Sequence, residues 1–254
     1  MRRTVRSGAA DIDRRVGFQP PADLGAPSIS EFVLRRLRAD ILSTDLQPGM
    51  KLPFYLLTKR YGVGVSPLRD ALARLAGDGL VILHSQKGYW VAPVSADDLK
   101  DVSEMRRRLE LMALDMALAA GDGLWRDRVR AAFDEFCKVK QRVGDEAPIT
   151  EDWEWRHRAF HLTLLSACGS PTLLRFCEQT HDRFHRYRRL ALPTRSFMGA
   201  LGDDHGEVME AALGGDKTRA ISLLDRHITS SSLLVADNYK FDGPHPMRRR
   251  SHLQ

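Results

Sequence analysis

The feature that most narrows the fold is a change of hydrophobic period at Gly79. From Ser30 onward, apolar residues recur at helical spacing: Val33, Leu34, Leu37, Ile41 and Leu42 form one stripe, and QPGM at 47–50 ends it in a turn. A second short helix is expected to about Tyr61. GVGV then connects into SPLRDALARLAGDGL, where Ser66 suits the N-cap, Pro67 suits the first helical position, and Leu68, Ala71, Leu72 and Leu75 face inward. Asp78-Gly79 closes that helix. Immediately afterwards, LVILH and YWVAP are short β-rich runs joined by SQKG, which predicts a two-stranded hairpin with a basic tip. Three helices followed by such a hairpin make a winged helix-turn-helix.

The rest of the chain reads as helix. Ser95 with Asp98 forms a capping box that opens a helix to about Ala120. Further helices are expected over roughly 124–143, 150–168, 171–192, 199–213 and 216–238, with Gly169-Ser170-Pro171 and Gly214-Gly215 among the breaks. The expectation is a mainly α chain: a winged module over 28–94 and an all-α antiparallel bundle over 95–239. Residues 1–27, which are basic, and 240–254 have no periodicity and read as flexible tails.

Charge separates the two modules. Lys plus Arg against Asp plus Glu is 9 against 5 over residues 28–94 and 21 against 24 over 95–239. A positive first module on a slightly acidic body points to a polyanionic partner for the first and a different task for the second. The richest apolar stretch, LELMALDMALAA from Leu109, is broken by Glu110 and Asp115, so it predicts a buried helix and no membrane partner. No apolar core follows MRRTVR, so no signal peptide is expected. Cys137, Cys168 and Cys177 lack CxxC spacing and sit in apolar helical patterns, which suits reduced core cysteines in a cytoplasmic protein.

A helix-turn-helix presents the amino-terminal end of its second helix to the major groove of duplex DNA. That end here offers Ser66 and Arg69, with Arg74 just over a turn further on, and Lys87 and Gly88 at the hairpin tip suit a wing touching phosphate or the minor groove. Composition alone fits equally well with Arg69 and Arg74 as solvated helix charges; the order of elements favours DNA.

"HRAFH", residues 157–161, raises a separate question. His157 and His161 share a face with Trp153, Leu164, Leu165 and Cys168; His205 lies with Leu201, Val208, Met209 and Ala212; His227 lies with Leu223, Leu224 and Leu234. Four histidines on the apolar stripes of three helices need partners. Each as a hydrogen-bonded core histidine is one solution, and a shared divalent metal is the other: zinc first, with nickel, copper or iron as alternatives. His181 and His185 have the same spacing but stand beside Asp182, Arg186, Arg188 and Arg189, so they read as solvated and outside the metal set. Arg106 lies on a stripe with Leu99, Val102, Leu109, Ala113 and Met116, where its fork could hold a carboxylate or pair internally with Glu110. Thr180, Arg183 and Tyr187 share a face that could line the same cavity. HRAFH lacks the glutamate of HExxH, and there is neither a Gly-rich phosphate loop nor a GxSxG elbow.

LQPGMKL, GVSPLRDALARLAGDGLV and KGYWVAP resemble the winged helix-turn-helix of GntR-family transcriptional regulators, and the helical remainder resembles the FCD domain of their FadR-type branch. The resemblance spans about residues 30–235. YGVGVSPLRDAL and HRAFHLTLLSACGSPTLLRFCE are most similar to the CsiR-like regulators, some of which answer to glutarate. The resemblance implies a metal set of one acidic residue and three histidines at the positions of His157, His161, His205 and His227, and an acid effector on the residue matching Arg106. This chain departs twice, with His157 where Asp is usual and Val65 where many members carry Arg before the recognition helix. The expectation is a homodimeric repressor that binds operator DNA, a divalent metal and a small carboxylate, with dicarboxylates such as glutarate the class in view. The rival classes are a metal-dependent hydrolase or lyase with an appended DNA-binding module, and a constitutive nucleoid-type DNA binder without an effector.

Overall fold

The structure, a computed structural model, describes residues 28–142, 150–191 and 204–241. Residues 1–27 and 242–254 of the expected tails, and the opening of the helix expected from 199, lie outside these.

The first module is built on α1 (Ile29–Leu42), α2 (Phe54–Tyr61) and α3 (Val65–Gly77). Ser28 caps α1 by accepting from the Glu31 amide at 3.2 Å. Val33, Leu34, Leu37 and Ile41 of α1 meet Leu68, Ala71, Leu72 and Leu75 of α3 in one buried cluster, as the two stripes predict. The start of α3 departs from expectation. Val65 is its first residue and Gly64 occupies the cap without a side-chain bond, so Ser66 and Pro67 fall inside the first turn. Gly64 leaves the chain extended there, and Ser66 is free to face solvent. At the other end Gly79 takes φ +73°, a left-handed conformation that favours glycine.

Strands β1 (Val81–His84) and β2 (Gly88–Val91) pair antiparallel, with Val81 opposite Val91 and His84 opposite Gly88. Ser85, Gln86 and Lys87 therefore make the tip, and Gly88 opens β2 instead of lying in the turn. On its outer edge β2 also meets the segment before α2: Leu52 donates to Tyr89 and Val91 donates to Met50, at 2.8 and 2.9 Å.

The second module comprises α4 (Ala96–Ala120), α5 (Gly123–Arg142), α6 (Glu151–Leu165), α7 (Pro171–Ala191), α8 (Asp204–Gly214) and α9 (Lys217–Asn238). A single 3-10 turn, Ser166–Cys168, follows α6. Ser95 caps α4 by accepting from the Asp98 amide at 3.1 Å. The return half of the capping box is absent, because Asp98 turns its carboxylate to Arg183 and Tyr187, and the Ser95 amide donates to the Tyr187 hydroxyl instead. Ala113, Leu114, Trp125, Phe160, Leu164, Leu224 and Ile228 are among the residues of the main bundle core. Among the described residues no helix is long and apolar enough to cross a membrane.

The two modules meet along α7. Arg38 of α1 pairs with Asp182 of α7 at 2.7 Å and also with Asp78 at the end of α3. Gln179 of α7 donates to the same Asp78 at 3.0 Å.

Candidate metal centre

Three helices bring four imidazoles together in the bundle interior. His157 and His161 stand one turn apart on the buried face of α6, His205 is the second residue of α8, and His227 lies mid-way along α9. All four are buried, and one ligand nitrogen from each lies within 4.8 Å of the others. His157 Nε2 and His205 Nε2 are 3.0 Å apart. Donors around a tetrahedral zinc stand about 3.4 Å apart, from bonds of about 2.1 Å, a spacing that lies between the 3.0 Å of this pair and the 4.8 Å limit of the set.

The chemistry of the cluster fits a cation. His157 Nδ1 and His161 Nε2 are buried without hydrogen-bond partners, and His161 Nδ1 has the Glu110 carboxylate at 3.4 Å. Burial, with the Arg188 charge next, holds His157 well below the ordinary imidazole range. Burial lowers His161 to about 4 against the pull of Glu110, and His227 is also held well below its usual value by burial and by His205. Neutral imidazole is the form that binds metal.

Around the four lies a shell of buried charge. Burial alone would raise Glu110, yet Arg106 at 2.7 Å holds its carboxyl well below the usual range. The internal ion pair weighed for Arg106 is thus present. Arg106 Nη2 nevertheless remains buried without a partner, and the guanidinium lies 4.9 Å from the Phe184 ring centroid. Glu110 Oε2 sits 3.4 Å from His161 Nδ1, the place of an outer carboxylate that orients a ligating histidine.

Other candidate residues are placed elsewhere. Thr180 donates to the carbonyls of Phe176 and Cys177 on its own helix, at 2.9 and 3.1 Å. Arg183 and Tyr187 converge on Asp98, two turns of α4 before Arg106, so the structure does not gather them with the histidines. His181 and His185 correct the solvated expectation, since both are buried. His181 Nδ1 lies 3.7 Å from Glu110, and burial lowers its pKa to about 3. His185 faces Glu154, which Arg188 clamps with two nitrogens. Asp182 and Arg188 beside this pair are themselves ion-paired in the interior, which removes the solvent that their composition suggests. His181, Glu154, Arg188 and Asp182 were not among the sequence candidates; their partners come from other helices, and only the closeness of HDRFHRYRR to the HRAFH spacing hinted at them.

In the first module, Ser66 and Arg69 are exposed on the first turns of α3, with the Arg69 guanidinium 5.9 Å from the Phe54 ring centroid. Arg74 turns back to Glu31 of α1 at 2.8 Å. Lys87 is exposed at the hairpin tip, and Gly88 takes φ +91°.

A winged helix-turn-helix carried on an all-helical domain defines the class of DNA-binding transcriptional regulators. The model for bacterial regulatory proteins of the gntR family matches residues 29–91, and the FCD domain model matches 101–230. The chain belongs to the GntR family, in its FCD-bearing, FadR-type branch. It is 35% identical over 198 residues to the HTH-type transcriptional repressor GlaR of Escherichia coli K12, covering 76% of this chain and 90% of that protein. It is 34% identical over 209 residues to the HTH-type transcriptional regulator BphR of Paraburkholderia xenovorans, covering 82% and 85%. Among solved structures, Escherichia coli McbR/YncC superposes with a TM-score of 0.71 at 20% identity, covering 85% of this chain and all (100%) of that one. A GntR regulator from Rhodococcus sp. RHA1 gives 0.68 at 20%, covering 84% and 100%. The family consists of regulators and not enzymes, which sets aside the hydrolase or lyase alternative.

Proposed function

We propose that this regulator is a repressor whose helical domain holds a divalent metal on His157, His161, His205 and His227 and binds a small organic acid beside it. The observation that carries this reading is the convergence of four buried imidazoles, each offering one nitrogen within 4.8 Å of the others. When bound, the metal would supply a fixed positive charge that attracts an anion. Arg106 Nη2, buried and without an acceptor, is the protein's own donor to a carboxylate there. With His157 in place of the family's acidic residue, the ligand set carries no negative charge, which favours a doubly charged effector such as a C4 to C6 dicarboxylate, glutarate among them. Zinc suits an all-imidazole set; nickel, copper and iron are the alternatives.

Ser66, Arg69, Arg74, Lys87 and Gly88 are proposed to meet operator DNA, with Arg74 leaving Glu31 to do so. Two copies would read the two halves of a symmetric operator. The Escherichia coli relative GlaR is named a repressor, which supports the sign of regulation. A physical link between the sites supports the coupling. Arg158, next to His157, pairs with Asp182 at 2.7 Å; Asp182 pairs with Arg38, and Arg38 with Asp78 at the end of α3. An effector that shifts α6 or α7 would thus bias the placement of the recognition helix.

The test is a gel-shift titration on DNA from upstream of the chain's own gene, with zinc-loaded protein and C4 to C6 dicarboxylates. Release of DNA by one of the acids, lost in Arg106→Gln, is the expected result. Unaltered DNA affinity with every acid contradicts effector control and favours a constitutive binder.

A further inference from the structure

Where the hairpin meets α7, a cleft of about 470 Å³ opens between the two modules, its lining free of the four histidines. Its apolar side includes Val81, Ile82, Leu83 and Pro93, and its polar side carries Arg183 and Arg186. Ile82 and Leu83 of β1, both exposed, are among the residues that line it.

Arg186 is the unexplained group. It is only 2% exposed, and among the described residues no carboxylate forms an ion pair with it. Its Nη2 donates to the Ala92 carbonyl, while Nε is buried without an acceptor. Burial works against its charge, and although Tyr187 and Asp98 favour the charge and Arg183 opposes it, the balance leaves the guanidinium below its ordinary value. Buried cations are as a rule paired with an anion, because an uncompensated one is costly. Arg183 does not relieve it, being a cation already paired with Asp98. Two guanidiniums against one carboxylate leave the cleft one positive charge in excess.

We propose that this cleft is a second ligand site, taking a small carboxylate monoanion with an apolar body. The single excess charge fits a monoanion better than a dicarboxylate, and Ile82 with Leu83 supplies a surface for a hydrocarbon tail. The volume falls within the about 300–1,000 Å³ usual for small-molecule pockets. The carboxylate takes the acceptor position that Arg186 lacks. Because Arg186 belongs to α7 and Leu83 to the hairpin, an occupant touches both modules, and its affinity depends on how they are disposed. By reciprocity it alters DNA affinity independently of the metal centre.

Octanoate is the probe, titrated calorimetrically into the full chain and into Arg186→Gln, Leu83→Asp and His161→Ala. Leu83 is exposed, so its variant keeps the core intact and guards against a folding defect in Arg186→Gln. The expected result is saturable binding to the parent protein, weakened about tenfold or more in both cleft variants and unchanged in His161→Ala. Absence of saturable binding to the parent, affinity unchanged by Leu83→Asp or Arg186→Gln, or dependence on His161 overturns the proposal.

Discussion

An imidazole taken out of water keeps its proton only at low pH, and His161 and His181 follow that rule. Unfolded histidine titrates near 6.5, whereas these two stay neutral in the fold down to about 4 and about 3. Below pH 6.5 the unfolded chain therefore binds protons that the folded chain does not. Stability is intact above 6.5 and falls as the pH drops toward 4, with a slope of up to about 1.4 kcal/mol per pH unit for each such histidine. Denaturant unfolding of chelator-treated protein from pH 7.5 to 5 checks this, and a flat profile contradicts it. Glu110 invites a second substitution. Glu110→Ala leaves Arg106 buried without its carboxylate, a loss expected to cost about 3–5 kcal/mol. Arg106→Met made together with it should recover much of that, which a double-mutant cycle in urea measures.

Among the elements, α7 is the one whose two faces serve different ends. Asp182 faces Arg38 and Arg158, while His181 faces Glu110. Replacing Arg38 by Gln cuts the ion-pair chain at a partly exposed position and should leave each module folded while loosening their union. Calorimetry is expected to show the single transition broaden or split; an unchanged single transition would mean that Arg38 carries no coupling. In α3, Leu72 lies at the centre of the first module's core, and Leu72→Ala should cost about 2–5 kcal/mol.

The same elements show what a sequence can disclose. Leu68, Leu72 and Leu75 reveal α3 because its stripe is apolar and its period regular. His157, His161, His205 and His227 stand on comparable stripes, so helical geometry turns each toward the core, while their grouping as one set is what the FCD resemblance implies. His181 and Asp182 could not. Their burial depends on Glu110, Arg158 and Arg38, whose proximity follows from how the helices pack and not from any local pattern. The cap of α3 differs from the sequence expectation because Gly64 serves by its extended backbone, although Ser66 offers the better capping side chain.

At the scale of the whole molecule, basic charge is concentrated in the module that meets DNA, while the helical domain is slightly acidic. Operator affinity should therefore fall steeply with salt, and Arg69→Gln or Lys87→Gln should reduce the slope of log affinity against log salt by about one each if the residue contacts phosphate. A slope unaltered in both would place the DNA contacts on other residues. The regulator's central property, however, is the buried imidazole cluster. Elemental analysis of protein loaded with zinc and then desalted tests it most directly. About one zinc per chain is expected in the parent, falling below about a tenth in His161→Ala with the fold intact by circular dichroism. Zinc absent from the parent, or retained equally by the variant, would contradict a metal held by these four histidines.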